Sequence, residues 1–332
     1  MQTKKNNIPP VMDKPPVVFM GTPPFAAGIL SFLIHQGYPV KGVVTAPDRP
    51  AGRGLAQRPS AVKTTAQEHN LPILQPESLQ NPEFLESLAR WQAPLFVVVA
   101  FRMLPRQVWE MPPLGCFNLH ASLLPQYRGA APINHALING ETETGLTTFL
   151  IDDQIDTGAL LLQKTLSIAN TDDAGTLHNK MLEAAGPLIA QTIDGLRAGN
   201  LQAIPQPDIP AENLKPAPKI TRETCRINWN CSPTRIVNLV RGLSPAPCAF
   251  SALDNNGKQV DVKICLARAE HTACTQEPGT VATDKKKTFK VACNGGYVHI
   301  LELQVPGKKR MKTEAFLAGF REEGPLLFQN PL

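Results

Sequence analysis

The sequence predicts two domains, an α/β domain built on a parallel sheet and a smaller β-barrel domain after it. Short apolar runs alternate with helical patterns between residues 17 and 199, which is typical of strands joined by crossover helices. Five prolines between Asn200 and Pro218 indicate an extended connector. Strand patterns separated by turn signals follow it. We therefore expect a disordered tail at residues 1–16, a first domain at 17–199, a linker at 200–212 and a second domain at 213–332.

The first domain opens with a predicted strand at residues 17–20, a turn, a helix over 25–36 and a second strand at 40–45. Parallel strands require such a helical connection, so this opening is a βαβ unit with a Rossmann-like arrangement. The first turn contains Gly21 but lacks the glycine pattern of dinucleotide-binding proteins. The sequence therefore does not support a dinucleotide site.

Two later strands place polar side chains at the edge of this sheet. The run LFVVVAF at 95–101 is apolar throughout, which is typical of a central parallel strand covered on both faces. In the strand that ends at His120, Asn118 and His120 share one face because side chains alternate along a strand. An amide and an imidazole therefore lie side by side. A single histidine is more often structural than catalytic, so this pair alone does not define a site.

Helices and the remaining strands follow from capping and periodicity. Helices are predicted over 82–91 after the capping residue Asn81, over 133–139 after Pro132, over 176–198 with a bend at Gly186-Pro187, and from Pro233 to Leu243. Strands of the second domain are predicted at 249–253, 260–269, 280–283, 288–293 and 297–304.

Composition limits the environment and the partners. No stretch approaches the roughly 20 apolar residues of a membrane span, and the first 16 residues lack the apolar core of a signal peptide, so we expect a cytoplasmic protein. The seven cysteines form no C-x-x-C pair, which favours reduced thiols over a zinc site. Residues 210–332 hold 18 Lys and Arg against 11 Asp and Glu, a net charge of +7. That asymmetry indicates either an anionic partner or a solvated basic face.

Two loops carry clusters of charged side chains. Residues 46–60 contain Arg49, Arg53 and Arg58 among prolines and glycines, and a loop of this length is either disordered or functional. Arginine suits phosphate because its planar fork donates two hydrogen bonds to one group. Residues 152–158 contain three aspartates, which in most loops form turns and a solvated surface.

The ordered motifs together are more specific than any one of them. VVFMGTPPFA at 17–26, APDRPAGRG at 46–54, NLHASLLPQYRGAAP at 118–132, ETETG at 141–145, IDTG at 155–158 and GKKRM at 307–311 resemble the formyltetrahydrofolate-dependent formyltransferases over nearly the whole chain after the tail. The resemblance implies a Rossmann-like catalytic domain followed by an OB-like barrel. It implies transfer of a formyl group from 10-formyltetrahydrofolate, without a metal, to the α-amino group of methionyl initiator tRNA. We expect a monomer.

The resemblance also implies roles for particular residues. Asn118, His120 and Asp156 are expected to be catalytic, with Asn118 donating to an oxyanion. Expected folate contacts are Phe101, Met103, Leu104, Ser122, Leu123, Leu124 and Pro125, and expected tRNA contacts are Arg49, Arg53, Arg58, Lys308, Lys309 and Arg310. The chain departs from the commoner family pattern at Gln154 and Ala159, and at Arg102, where glycine is usual in a loop one residue longer.

Other functions share part of this pattern. A glycinamide ribonucleotide or sugar-nucleotide formyltransferase would share N-x-H and the DTG aspartate, but would not need the arginine loop and the basic barrel. A hydrolase that releases formate from the same folate, or a noncatalytic RNA-binding protein built on the barrel, are the alternatives of a different class.

Overall fold

The structure is a computed structural model that describes residues 14–51, 56–320 and 324–331. Residues 1–13, most of the predicted tail, lie outside this range, as does Arg53. The chain divides into two units. The first comprises Met1–His120, Thr148–Gln163 and Ala184–Gln206, and the second comprises Ala121–Thr147, Lys164–Glu183 and Pro207–Leu332. The expected domain limits at 199 and 213 stay a prediction.

The amino-terminal half of the chain forms a mainly parallel sheet. Its strands are β1 (Val17–Gly21), β2 (Val40–Val44), β3 (Arg49–Ala51), β4 (Ala56–Arg58), β5 (Ile73–Leu74), β6 (Leu95–Val99), β7 (Cys116–His120), β8 (Glu143–Leu150) and β9 (Leu160–Ser167). The sheet has the order β5-β2-β1-β6-β7-β8-β9, and the pairs from β5 to β7 are parallel. Strands β3 and β4 form a separate antiparallel ladder inside the loop for which the sequence predicted no regular structure. The α/β prediction is confirmed.

The five helices predicted above begin within two residues of the expected positions. The helices of the structure are α1 (Pro24–His35), α2 (Ala61–Glu68), α3 (Pro82–Ala89), α4 (Arg106–Trp109), α5 (Pro132–Ile138), α6 (Ala174–Ala198), α7 (Pro233–Leu243) and α8 (Thr313–Gly319). Proline occupies the first turn of α1, α3, α5 and α7, where its missing N–H costs nothing. None of the described helices has both the length and the apolar character needed to cross a membrane.

The core of the first unit lies against its central strands. Every residue of β1 and β6 is buried, as the continuous apolar runs predict. On β2, a methyl group at Gly42 would lie 2.4 Å from the ring of Trp91, so the indole packs directly on the strand backbone. Such close packing leaves no room for a side chain at this position of β2.

The second unit contains the antiparallel barrel. Its strands are β10 (Ala249–Asn255), β11 (Lys258–Glu270), β12 (Val281–Thr283), β13 (Phe289–Cys293), β14 (Gly296–Gln304), β15 (Met311–Lys312) and β16 (Leu326–Phe328). The order is β12-β13-β14-β11-β10-β16, and a bridge from Thr280 to Leu327 nearly closes the sheet. Trp229, Phe289 and Phe328 fill the interior, with ring centres 5.4 and 6.1 Å from that of Phe328. The barrel prediction is confirmed.

Candidate active site

Strand β7 positions the first two polar side chains of the site. Its register places Asn118 opposite Val98 of β6 and Leu119 opposite Val99. Phe117 and Leu119 are buried on one face, so Asn118 and His120 share the other. Asn118 is half-buried, whereas only 6% of His120 is exposed. An amide and a largely dehydrated imidazole therefore lie at the carboxyl end of a strand with little freedom to move.

His120 faces a carboxylate from the loop between β8 and β9. Its Nδ1 atom lies 3.7 Å from Oδ2 of Asp156, and both side chains are largely buried. At this separation the two groups form an ion pair whenever the imidazole is protonated. The carboxylate can therefore stabilise the imidazolium and orient the ring, so His120 can accept or donate a proton at this position.

The three aspartates of that loop have different environments. Asp152 accepts hydrogen bonds from the Thr157 hydroxyl at 2.8 and 3.0 Å and from the Gln154 N–H at 3.0 Å, so it closes the turn. Asp153 is exposed. Asp156 alone among the three lies within 4 Å of the His120 ring. The geometry thus separates one carboxylate suited to chemistry from one that shapes the loop and one that is solvated.

The loop backbone is fixed around Asp156. Asp156 has a φ of 57°, a left-handed conformation that a non-glycine residue adopts only when its surroundings impose it. The side-chain amide of Gln206 donates to the carbonyls of Asp156 and Gly158, each at 2.9 Å. A methyl group at Gly158 would lie 1.6 Å from the carbonyl oxygen of Leu150. The chain can therefore pass this point only with glycine, which explains the Thr-Gly that follows the aspartate.

A second segment predicted to contact folate begins just after β7 and lies in the second unit. Ser122 is fully buried and its hydroxyl donates to the Gln126 carbonyl at 2.6 Å. Thr147 donates to the Ser122 carbonyl at 2.7 Å and accepts from the Leu124 N–H at 3.1 Å. The Ser122 hydroxyl therefore shapes its own turn. The buried Thr147 was missed because β8 contains three threonines and nothing in the sequence distinguishes the one that bonds to this turn.

The other predicted folate segment, 101–104, follows β6. Leu104 is buried, Phe101 is half-buried and 64% of Met103 is exposed. Arg102 lies between them, and its guanidinium donates to the carbonyls of Pro76 and Glu77, the latter at 2.8 Å. The segment thus presents backbone and an exposed thioether, while the arginine side chain fastens it to the loop after β5.

The predicted basic residues lie on exposed segments of the two units. Arg49 and Arg58 are opposite each other in the β3–β4 ladder and both are exposed, whereas Arg53 lies outside the described residues. Lys308, Lys309 and Arg310 are exposed in the turn before β15, and Arg310 donates to Glu302 at 2.5 Å. Among the described residues, no group of three or more His, Cys, Asp or Glu side chains could hold a metal ion.

Comparison with known proteins finds similarity over most of the chain. The family described as "Formyl transferase" matches residues 16–193, and "Formyl transferase, C-terminal domain" matches residues 219–321. A methionyl-tRNA formyltransferase of Bacteroides fragilis is 51% identical over 92% of this chain and 94% of its own length. One from Flavobacterium johnsoniae is 47% identical over 93% and 97%.

Solved structures show the same fold at low identity. The sugar 3N-formyl transferase WlaRD, crystallised in the presence of dTDP and 5-N-formyl-THF, has a TM-score of 0.62 at 18% identity and covers 90% of this chain and all of its own. HypX from Aquifex aeolicus, in complex with tetrahydrofolic acid, has a TM-score of 0.60 at 16% identity, covering 92% of this chain and 47% of HypX. At these identities the likeness concerns the fold alone.

Proposed function

The chain belongs to the formyl transferase family, and we propose that it transfers the formyl group of 10-formyltetrahydrofolate to the α-amino group of methionyl initiator tRNA. The observation that carries the proposal is the similarity to methionyl-tRNA formyltransferases, about half of all residues over 92% of the chain, barrel domain included. The pairing of His120 with Asp156 beside Asn118 supports it, because formyl transfer requires an oxyanion donor and a proton acceptor at one place.

The reaction requires stabilisation of an oxyanion and transfer of a proton to the leaving nitrogen. The amine attacks the formyl carbon, the new C–N bond forms, and the carbonyl oxygen becomes an oxyanion. The bond to N10 of the folate then breaks, while the proton lost by the ammonium is needed at the leaving N10. Asn118 is proposed to donate to the oxyanion through its amide. Removal of one such donor typically raises the barrier by about 2.7–4 kcal/mol.

His120 and Asp156 are proposed to serve the proton step. The imidazole has a ring nitrogen that can take the ammonium proton and return it to N10. Asp156, 3.7 Å from Nδ1, orients the ring and stabilises its protonated form. Gln206 is proposed to act through Asp156, because its two hydrogen bonds hold the backbone on either side of Thr157. It is a positioning residue.

Substrate contacts are proposed separately for each unit. In the first unit, we assign folate contact to Phe101, Met103 and Leu104, mainly through backbone groups, and tRNA contact to Arg49, Arg53 and Arg58. In the second unit, Ser122, Leu123, Leu124 and Pro125 are assigned to the folate, and Lys308, Lys309 and Arg310 to phosphates of the tRNA. We also propose that the protein acts as a monomer in the cytoplasm.

The proposal is tested by offering one formyl donor to several amines. The purified full chain is incubated with labelled 10-formyltetrahydrofolate and, in separate reactions, charged initiator tRNA, charged elongator tRNA, glycinamide ribonucleotide, an amino-sugar nucleotide, or no amine. We expect label on the initiator methionine, little on the elongator, and little released formate. Faster transfer to glycinamide ribonucleotide or the sugar nucleotide, or rapid formate release without an amine, would replace the proposal with one of those activities.

A further inference from the structure

The second unit contains a cavity with thiol groups in its lining. It has a volume of about 590 Å³ and is lined by Cys225 and Cys248 and by two cationic side chains, Arg222 and Lys263. Arg222, Lys263 and the neighbouring Asp261 are exposed, so the cavity opens to solvent. A cysteine in an open, positively charged environment is placed to react, whereas a thiol packed inside a core is inert. The cavity therefore separates these two cysteines from ordinary buried thiols.

Cys248 has a second thiol beside it, that of Cys265 on β11. Ala249 of β10 is opposite Ile264, so Cys248 and Cys265 are the next facing positions of the two strands. Their Sγ atoms lie 3.6 Å apart. Facing residues of antiparallel strands have Cα atoms about 4.5–5.5 Å apart, which is within the range of about 4.4–6.8 Å that a disulfide spans. The backbone can therefore accommodate a bond between the two sulfurs after a small side-chain movement.

The surroundings favour ionisation of Cys248 over that of its neighbours. The hydrogen bond with Cys265 lowers the pKa of Cys248 to about 7 against the effect of burial, and the positive charges of Lys263 and Arg310 add to the lowering. The same hydrogen bond raises the pKa of Cys265, and burial raises it further. Burial also raises the pKa of Cys225. Cys248 is therefore the nucleophile on the cavity wall, and Cys265, which does not line the cavity, keeps its proton.

We propose that Cys248 and Cys265 form a redox-active pair that hydrogen peroxide converts to a disulfide. The Cys248 thiolate attacks one peroxide oxygen, the O–O bond breaks, and the departing hydroxide is protonated to water. Cys265 then attacks the sulfur of the resulting sulfenic acid, and its proton leaves with the hydroxyl group as a second water. Two thiols are oxidised and one peroxide is reduced, the chemistry of a sensitive thiol with a resolving thiol beside it. The inference is independent of the proposed function.

Peptide mapping of the reduced full chain after timed exposure to hydrogen peroxide at pH 7 tests the pair. Free thiols are alkylated at each time point, and the fragments are identified by mass spectrometry. We expect an intramolecular Cys248–Cys265 disulfide as the first product, with two thiols lost per peroxide and full reversal by dithiothreitol. At pH 7 about half of a thiol with a pKa of about 7 is ionised, against about 3% at the ordinary value of about 8.5. Cys248 should therefore react roughly tenfold faster than the half-buried Cys274, while the buried Cys116 stays reduced.

Serine variants separate the two roles, with Cys274→Ser as the matched control. We expect Cys248→Ser to lower the rate of thiol loss roughly tenfold and to leave Cys265 reduced. Cys265→Ser should react at nearly the wild-type rate but accumulate a sulfenic acid on Cys248, which dimedone traps. Cys274→Ser should behave as wild type.

Three results would overturn the inference: earlier oxidation of Cys274, a disulfide from Cys248 to Cys225, or no dimedone adduct in Cys265→Ser. The peptide map of the wild-type chain decides between the first two and the proposed pair even if a serine variant does not fold by circular dichroism.

Discussion

The His120–Asp156 pair and the basic turn at residues 308–310 differ in how tightly the protein holds them. His120 and Asp156 are buried, one at the end of a central strand and the other on a loop fixed by Gln206. The side chains of the turn are exposed, and Glu302 is the partner of Arg310 there. Proton transfer depends on positions to within about an ångström, whereas attraction of a phosphate backbone needs charge of the right sign nearby. The His120–Asp156 pair should therefore govern turnover, and the basic turn should govern the affinity for tRNA.

The largest expected effect is on turnover when the buried pair is broken. His120→Ala and Asp156→Asn should each lower kcat by about 10² to 10⁴, the usual contribution of general acid–base groups, and leave the KM for tRNA nearly unchanged. Steady-state formylation with both substrates varied measures this. Asp153→Asn is the matched control, because Asp153 belongs to the same loop but is exposed. Equal losses in Asp153→Asn and Asp156→Asn would remove the distinction between the three aspartates.

A smaller loss should follow when the loop is displaced without touching its carboxylates. Gly158→Ala places a methyl group against the Leu150 carbonyl, 1.6 Å away, so the backbone must shift. A displacement of about 1 Å in a reacting group can lower the rate by about 10², which we expect in kcat. Gly319→Ala has open space around the added methyl group and should keep full activity and thermal stability. Normal kcat in Gly158→Ala would mean that the position of Asp156 is not critical.

Substitutions in the basic turn should weaken tRNA binding and leave turnover unchanged. Lys308→Gln combined with Lys309→Gln should raise the KM for tRNA roughly tenfold and lower the salt slope by at most about 1.8, since two phosphate contacts are lost, while kcat at saturating tRNA stays unchanged. Lys41→Gln, an exposed lysine on β2, serves as the control. A fall in kcat in the double variant, with KM unchanged, would contradict the assignment of the turn to binding.

The smallest expected effect on turnover is that of Asp172, a buried aspartate to which no catalytic role is assigned. Only 4% of Asp172 is exposed, and it accepts hydrogen bonds from Lys180 at 2.6 Å and the Ala169 N–H at 2.7 Å. Burial alone would raise the pKa of Asp172, but these donors outweigh burial and lower it. Asp172→Asn should therefore cost about 1–3 kcal/mol of unfolding free energy at pH 7 and leave kcat unchanged.

The pH dependence of that loss follows from the direction of the shift. Because the folded-state pKa of Asp172 lies below the unfolded value of about 3.9, its stabilising contribution is complete above that pH. It is lost as the pH falls through the folded-state pKa. Urea unfolding at several pH values should show wild type and Asp172→Asn converging in acid. A difference that stays constant down to the lowest pH at which the protein folds would exclude this account.

Most of the fold could be predicted, because local patterns agree with the final packing. Strand β6 is an unbroken apolar run, and α3 and α7 have polar caps followed by proline, so periodicity and capping were sufficient. The β3–β4 hairpin was missed because residues 49–58 have no alternating apolar pattern. A 2.7 Å hydrogen bond between the side chains of Thr45 and Ser60 joins the two ends of this segment, a contact between residues 15 apart that no local pattern indicates.

The candidate site was less accessible to sequence reasoning. Alternation alone placed Asn118 and His120 on one face of a strand. The selection of Asp156 over Asp152 required a resemblance, because the preference arises from a left-handed backbone and from Gln206, some 50 residues away.

The contrast between the two regions is tested most directly by single-turnover formyl transfer, with the enzyme in excess over charged initiator tRNA and varied in concentration. The plateau rate reports the chemical step, and the concentration at half-plateau reports tRNA binding. We expect His120→Ala to lower the plateau at least 100-fold with an unchanged half-plateau concentration. The Lys308→Gln and Lys309→Gln double variant should keep the plateau and shift the half-plateau concentration upward. A His120→Ala enzyme that reaches the wild-type plateau at higher concentration would contradict the account.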